Sequence, residues 1–145
     1  MRVLGSDVLF WIASHAARNQ MIRVVLATPP VLLTTANLSE KARINAMLAD
    51  ILPVSSRAAG LRSDTELGKH LTPARLELVR APTLIIAAQD DGYGTYASAR
   101  YTADEIAGAK FFGFETGGHT WVGHDDEVMA KVLTFISSSK EGQGR

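Results

Sequence analysis

Two apolar stretches near the end of the chain each lead to a residue type that serves in acid–base catalysis. Residues 82–88 are followed by Asp90 and Asp91, and residues 110–114 are followed by His119. A carboxylate bonded to one ring nitrogen of a histidine fixes its tautomer and stabilises the cation formed when the other nitrogen takes a proton. We therefore predict His119 as a general base and Asp91 as its orienting acid, which are two of the three groups of a nucleophilic triad.

The elements that must position these residues alternate between strand and helix. Short runs rich in branched residues predict buried strands, and apolar residues at helical spacing predict helices. Strands are expected at residues 23–27, 83–88 and 110–114, and helices at 10–20, 37–52, 73–79, 95–107 and 125–136. This alternation predicts an α/β fold with a parallel sheet, whose carboxyl edge would carry Asp91 and His119 together.

Local signals refine these boundaries. Asn37 and Glu40 have the spacing of a capping box, which places a helix start at Asn37. Residues 55–71 are polar and poorly periodic, so we expect a loop with short helical turns there. Residues 138–145 are expected to form a flexible tail.

Several polar and aromatic residues near the predicted pair have alternative interpretations. Asp90 competes with Asp91 for the role of orienting acid, but we expect it to accept backbone N–H bonds in the turn. The aromatic residues Tyr93, Tyr96 and Trp121 are interpreted either as the lining of an apolar substrate pocket or as core. The carboxylates that follow His124 are better explained as a helix cap than as a metal site.

Composition narrows the class of protein. The 145 residues include 15 basic and 15 acidic side chains, so no net positive field attracts nucleic acid or an anionic membrane. Cysteine is absent, which excludes disulfides and thiolate catalysis. No apolar run reaches the ~20 residues that span a bilayer. We therefore expect a cytoplasmic protein that uses no metal or other cofactor and binds a small-molecule substrate.

The order of these residues resembles the C-terminal half of an α/β-hydrolase. The matching stretches are the strand at 81–86, the acid pair ending in Asp91, the approach to the last strand at 106–110, the Gly117-Gly118-His119 loop and the closing helix at 127–136. The resemblance implies one domain over residues 1–145, with a partial parallel sheet flanked by helices. It implies a helical cap-like insertion at 31–80 and hydrolysis of small esters or related acyl substrates.

The nucleophile departs from that family's pattern, because no G-x-S-x-G pentapeptide occurs. Alignment of residues 11–13 with the helix that follows the family's nucleophile places Asp7 at the nucleophile position and Leu9 at a glycine position. Dehalogenase and epoxide-hydrolase relatives use an aspartate there, and Ser6 in a shifted loop is the other candidate.

Two alternative hypotheses remain. In the first, the chain is a truncated or degenerate hydrolase half without activity of its own, which serves as a binding or structural domain. In the second, another chain completes the sheet. The predicted strand at 23–27 would leave an open edge, so we also expect a homo-oligomer formed through it.

Overall fold

The computed structural model of the chain describes residues 5–72 and 74–143. These ranges contain seven α-helices, two β-strands and a short 3-10 turn. In chain order they are α1 (Asp7–Ala16), α2 (Arg18–Val25), α3 (Leu32–Thr35), α4 (Leu38–Ala49), α5 (Val54–Gly68), the 3-10 turn (Leu76–Leu78), β1 (Leu84–Ala88), α6 (Tyr96–Glu105), β2 (Lys110–Phe114) and α7 (Asp125–Gln143). The predicted mixed α/β class is confirmed at this coarse level.

The two strands form a parallel pair, with Leu84 opposite Lys110 and Ala88 opposite Phe114. Both strands lie where the sequence predicts them, and α6 connects them and packs against both. Side chains alternate between the two faces of a sheet. Ala88 and Phe114 pack on Val128 of α7, which covers one face. Tyr96 of α6 packs on Phe111, which belongs to the other.

A larger core lies among the helices. Its buried residues come from α1 to α5, the segments between them and the segment after β2: Phe10, Met21, Ile22, Leu26, Leu33, Ile44, Leu48, Val54 and Val122. The predicted strand at 23–27 is wrong, because α2 continues through Val25. One side of α2 faces this core. It carries, at helical spacing, Met21, Ile22, Val25 and Leu26, while Val24 is exposed. This burial outweighs the strand preference of the branched residues.

Three helices that contribute to this core, α1, α2 and α4, differ in part from expectation. The predicted helix at 10–20 is two helices that meet at Ala17. Asn37 caps α4 as predicted, since its side chain accepts a hydrogen bond of 2.8 Å from the Glu40 backbone. The Glu40 carboxylate does not return to that cap and instead accepts from the Gly123 backbone N–H.

The predicted loop at 55–71 is also wrong, because α5 covers most of it. Val54 is the one residue of α5 that is buried, so the helix presents no apolar stripe that could reveal it. Of the helix predicted at 73–79, Pro73 lies outside the described residues, and the rest contains the 3-10 turn alone. Helix α7 continues to Gln143, past residue 138, where the sequence predicts a tail.

Candidate functional site

The parallel pairing of β1 and β2 brings Asp91 and His119 together at the carboxyl edge of the sheet. Asp91 lies three residues after β1, and His119 lies in the loop after β2. The His119 Nδ1 atom is 3.0 Å from the Asp91 Oδ2 atom. The predicted contact between the two residues is therefore present, and we call them the dyad.

Asp91 is buried, and both oxygens of its carboxylate accept hydrogen bonds. Its Oδ1 accepts from the Tyr93 backbone N–H at 2.8 Å, and its Oδ2 accepts from the Thr95 hydroxyl as well as from His119. Burial raises the pKa of Asp91, but the hydrogen bonds from Thr95, His119 and Tyr93 outweigh it and hold the pKa below the ordinary value of 3.8. An ionised carboxylate only accepts hydrogen bonds, so the proton of neutral His119 lies on Nδ1.

The other ring nitrogen of His119, Nε2, is not used in the contact with Asp91. The side chain is 48% exposed, and the Tyr93 ring meets it edge-on with centroids 4.8 Å apart. Within residues 5–72 and 74–143, no hydrogen bond engages Nε2. An unprotonated Nε2 on an oriented, half-exposed ring has the properties of a general base.

Asp90 has a different role from its neighbour. Its carboxylate accepts from the backbone N–H groups of Gly117 at 3.3 Å and Gly118 at 2.7 Å. The prediction that Asp90 binds backbone N–H groups is confirmed. The groups belong to the loop of His119 rather than to its own turn, so Asp90 fixes the two loops of the site to each other.

The two candidate nucleophiles are bonded elsewhere. Ser6 caps α1 by accepting from the Leu9 N–H at 3.5 Å. Asp7 accepts from Ser55 twice, from the N–H at 2.9 Å and from the hydroxyl at 2.6 Å. These two bonds hold the pKa of Asp7 below its ordinary value. Neither candidate is hydrogen-bonded to His119 in the described part of the chain.

The three aromatic candidates separate in space. Tyr93 contacts the His119 ring, and its hydroxyl donates to the Val25 carbonyl at 2.8 Å. Tyr96 packs on Phe111, with ring centroids 5.6 Å apart. Trp121 packs against the residues between the sheet and α7. Tyr93 is the candidate that the structure brings to the dyad, and the other two pack against the sheet and its core.

His124 and the carboxylates after it do not form a ligand set. The His124 ring stacks on Phe114 with centroids 4.3 Å apart, and Asp125 begins α7. Among the described side chains, no group of three or more His, Cys, Asp or Glu residues could hold a metal ion.

The structure adds a contact that sequence reasoning missed. The connector between α2 and α3, which we define as residues 26–31, touches both loops of the dyad. The Ala27 carbonyl accepts from the backbone N–H of Gly92 at 2.8 Å and of His119 at 3.3 Å. Nothing in the local sequence marks this contact, because it joins segments far apart in the chain.

Comparisons of the chain with protein-family models, curated proteins and solved structures found no match. No helix in the described ranges is long and apolar enough to cross a membrane. A functional assignment therefore rests on the geometry of the dyad.

Proposed function

We propose that this chain is a hydrolase of the α/β-hydrolase type that acts on small esters or related acyl substrates. The observation that supports this function best is the 3.0 Å contact between Asp91 and His119, on a half-exposed ring whose Nε2 has no hydrogen-bond partner among the described residues. The same pair of groups, in the same order along the chain, carries the resemblance to that family.

The proposed chemistry follows from the two ends of the imidazole ring. Nε2 takes the proton from the attacking hydroxyl or water, and the positive charge that forms is stabilised by the Asp91 carboxylate at Nδ1. When the ester C–O bond breaks, the imidazolium returns this proton to the leaving oxygen. The depressed pKa of Asp91 keeps the carboxylate ionised throughout this cycle at neutral pH.

The nucleophile is proposed to be Asp7 or Ser6. An Asp7 carboxylate would attack the ester carbonyl and form a mixed anhydride, while the displaced alcohol oxygen takes a proton from solvent. Water that His119 deprotonates then hydrolyses the anhydride. A Ser6 hydroxyl would instead lose its proton to His119 directly and form an acyl-serine ester. Asp7 would have to leave its two bonds to Ser55, and Ser6 would have to leave the α1 cap.

Residues 31–80 are proposed to act as the substrate-binding cap of such an enzyme. The support for this role is their helical character, since the region holds α3, α4 and α5. Tyr93 is proposed to contact the substrate, because its ring lies against the base.

A second candidate function is a hydrolase half without activity of its own, which serves as a binding or structural domain or is completed by another chain. The observation that favours it is the bonding of Ser6 and Asp7 away from the dyad. The exposure of Val8 and Trp11 on the same helix, at 67% and 54%, adds an apolar surface that a partner would cover.

Hydrolysis of short-chain p-nitrophenyl esters tests both candidates. We expect His119→Ala to lose about a hundredfold or more in kcat, because a general base contributes about 10²–10⁴. His15→Ala is the matched control, since His15 is exposed in the last turn of α1 and its Nδ1 bonds the Trp11 carbonyl. Loss of turnover in only one of Asp7→Asn and Ser6→Ala would identify the nucleophile.

Two outcomes would count against an active hydrolase. Turnover that is unchanged in His119→Ala would refute the role of the dyad. A wild-type chain without measurable turnover on these esters would favour the second candidate.

A further inference from the structure

The connector (residues 26–31) packs between the two loops that carry the dyad. The Ala27 carbonyl lies between them and accepts one backbone N–H from each, from Gly92 and from His119. Ala27 itself has a φ of +46°, a backbone conformation that is costly for a residue with a Cβ. Such a conformation persists only where the surrounding contacts fix it, and the two shared hydrogen bonds are contacts of that kind.

Thr28 continues this contact with a buried side chain. It is 1% exposed, and its hydroxyl donates to the Leu26 carbonyl at 2.8 Å. The same oxygen is 2.9 Å from the Thr120 hydroxyl and 3.3 Å from the Thr120 backbone nitrogen. A hydroxyl has one proton and two acceptor positions. Because its proton goes to Leu26, both acceptor positions are available for Thr120, and the hydroxyl is fully used.

The other neighbour of His119 also meets Thr28. A Cβ added to Gly118 would lie 2.7 Å from the Thr28 Cα atom, so the two backbones are in direct contact. Gly92 is similarly close to Ala27, where an added Cβ would lie 3.1 Å from the Ala27 Cα atom. The residues on both sides of His119 thus contact one threonine, which is held against the loop of Asp91 through Ala27.

We propose that Thr28 is a positioning residue for the dyad. Its hydroxyl and backbone fix Gly118 and Thr120, and these fix the direction in which His119 presents its ring to Asp91. Thr28 touches no reacting atom, so its effect passes through the ring orientation. This inference deepens the proposed function and rests on it wherever activity is the readout.

Two readouts in Thr28→Val test the proposal. The first is the tautomer of neutral His119, obtained from the NMR chemical shifts of its two ring nitrogens. We expect the Nδ1–H form to predominate in the wild type and to lose its predominance in Thr28→Val. The second is kcat/KM on the ester, measured as a function of pH. We expect its maximum to fall by about tenfold, since small misplacements of a reacting group are costly.

Matched variants separate positioning from folding. Thr28→Ser keeps the hydroxyl and should restore both readouts. Thr102→Val makes the same change in α6, outside the proposed cap and the dyad, where the Thr102 hydroxyl donates to the Ser98 carbonyl at 2.8 Å, and should leave both unchanged. If Thr28→Val does not fold, Thr120→Val removes the partner hydroxyl from the other side, and the same losses are expected.

The outcomes distinguish this inference from the proposed function. A wild-type tautomer in folded Thr28→Val, or in folded Thr120→Val if only that variant folds, overturns the positioning role whether or not the chain hydrolyses esters. Activity that is indifferent to His119→Ala overturns the hydrolase, while the tautomer still decides the role of Thr28.

Discussion

Adjacent aspartates at the end of β1 divide two tasks between them. Asp91 bonds a ring nitrogen of His119, and Asp90 bonds the backbone N–H groups of Gly117 and Gly118. One carboxylate thus orients the imidazole, while the other fixes the backbone that carries it. The two residues are therefore not interchangeable, although they share a side-chain type and are neighbours in the chain.

The lowered pKa of Asp91 predicts how acid affects the stability of the chain. Its pKa is lower in the folded chain than in the unfolded chain, where it lies near 3.8. As the pH falls through this value, the unfolded chain binds the proton first. The stabilisation by Asp91 is thus complete above about pH 4 and is lost as the pH falls through the folded-state pKa.

Thermal unfolding between pH 7 and pH 2 checks this expectation. The Tm of the wild type should exceed that of Asp91→Asn at neutral pH, and the difference should shrink below about pH 4. Asp104→Asn is the control, because Asp104 pairs with Arg100 at the surface. A difference that stays constant across this range would contradict the lowered pKa.

At the scale of the elements, the connector and the loop of His119 approach each other so closely that only glycine fits at position 118. Gly118 has a φ of +61° and no room for a Cβ beside Thr28. Gly123 has a φ of +88°, but a Cβ there would meet nothing within 4 Å. A comparison of substitutions at the two glycines therefore distinguishes the cost of backbone strain from the cost of steric contact.

Alanine at each of these glycines gives a matched pair of variants. We expect Gly123→Ala to lower the free energy of unfolding by about 1–3 kcal/mol through backbone strain alone. Gly118→Ala should cost more, because the connector must also move. Denaturant unfolding measures both. Equal losses would show that the approach of Thr28 adds nothing to the stability of this loop.

The elements that the sequence predicts well are those whose burial leaves a local signal. Strands β1 and β2 are short apolar runs bounded by turn residues, so both could be predicted, and with them the meeting of Asp91 and His119. Residues 23–27 carry the same branched residues, but the core that makes them helical is assembled from distant segments. Helix α5 was missed because its exposed surface has no apolar period.

The contact between the connector and the loop of His119 could not be predicted from the sequence, for a related reason. Thr28 and Thr120 are 92 positions apart, and neither stands in a recognisable motif. Their contact depends on how α2 ends beside the sheet, which is the part of the fold that the sequence misassigns.

At the scale of the whole molecule, two features predict self-association. The sheet in the described residues has two strands, so each strand has a strand partner on one side only. Residues 23–27, whose open edge suggested an oligomer, are helical to Val25, and the open edges belong instead to β1 and β2. Strand edges without a strand partner and the apolar surface of α1 both favour association.

Light scattering tests this expectation. We expect a mass of at least twice the 15.6 kDa of one chain. A monomer that persists as the protein concentration is raised would rule out association through the sheet edge.

Helix α4 is anchored to the loop of His119. The Glu40 carboxylate accepts from the Gly123 N–H, and the Arg43 guanidinium lies 3.5 Å from Asp125 at the start of α7. A hinge motion of the helical region that included α4 would have to break both of these contacts. Helix α5 is bonded elsewhere, since Ser55 bonds Asp7 of α1 and Arg57 donates to the Asp50 and Ile51 carbonyls. Helix α4 and the loop of His119 are therefore expected to move as one unit.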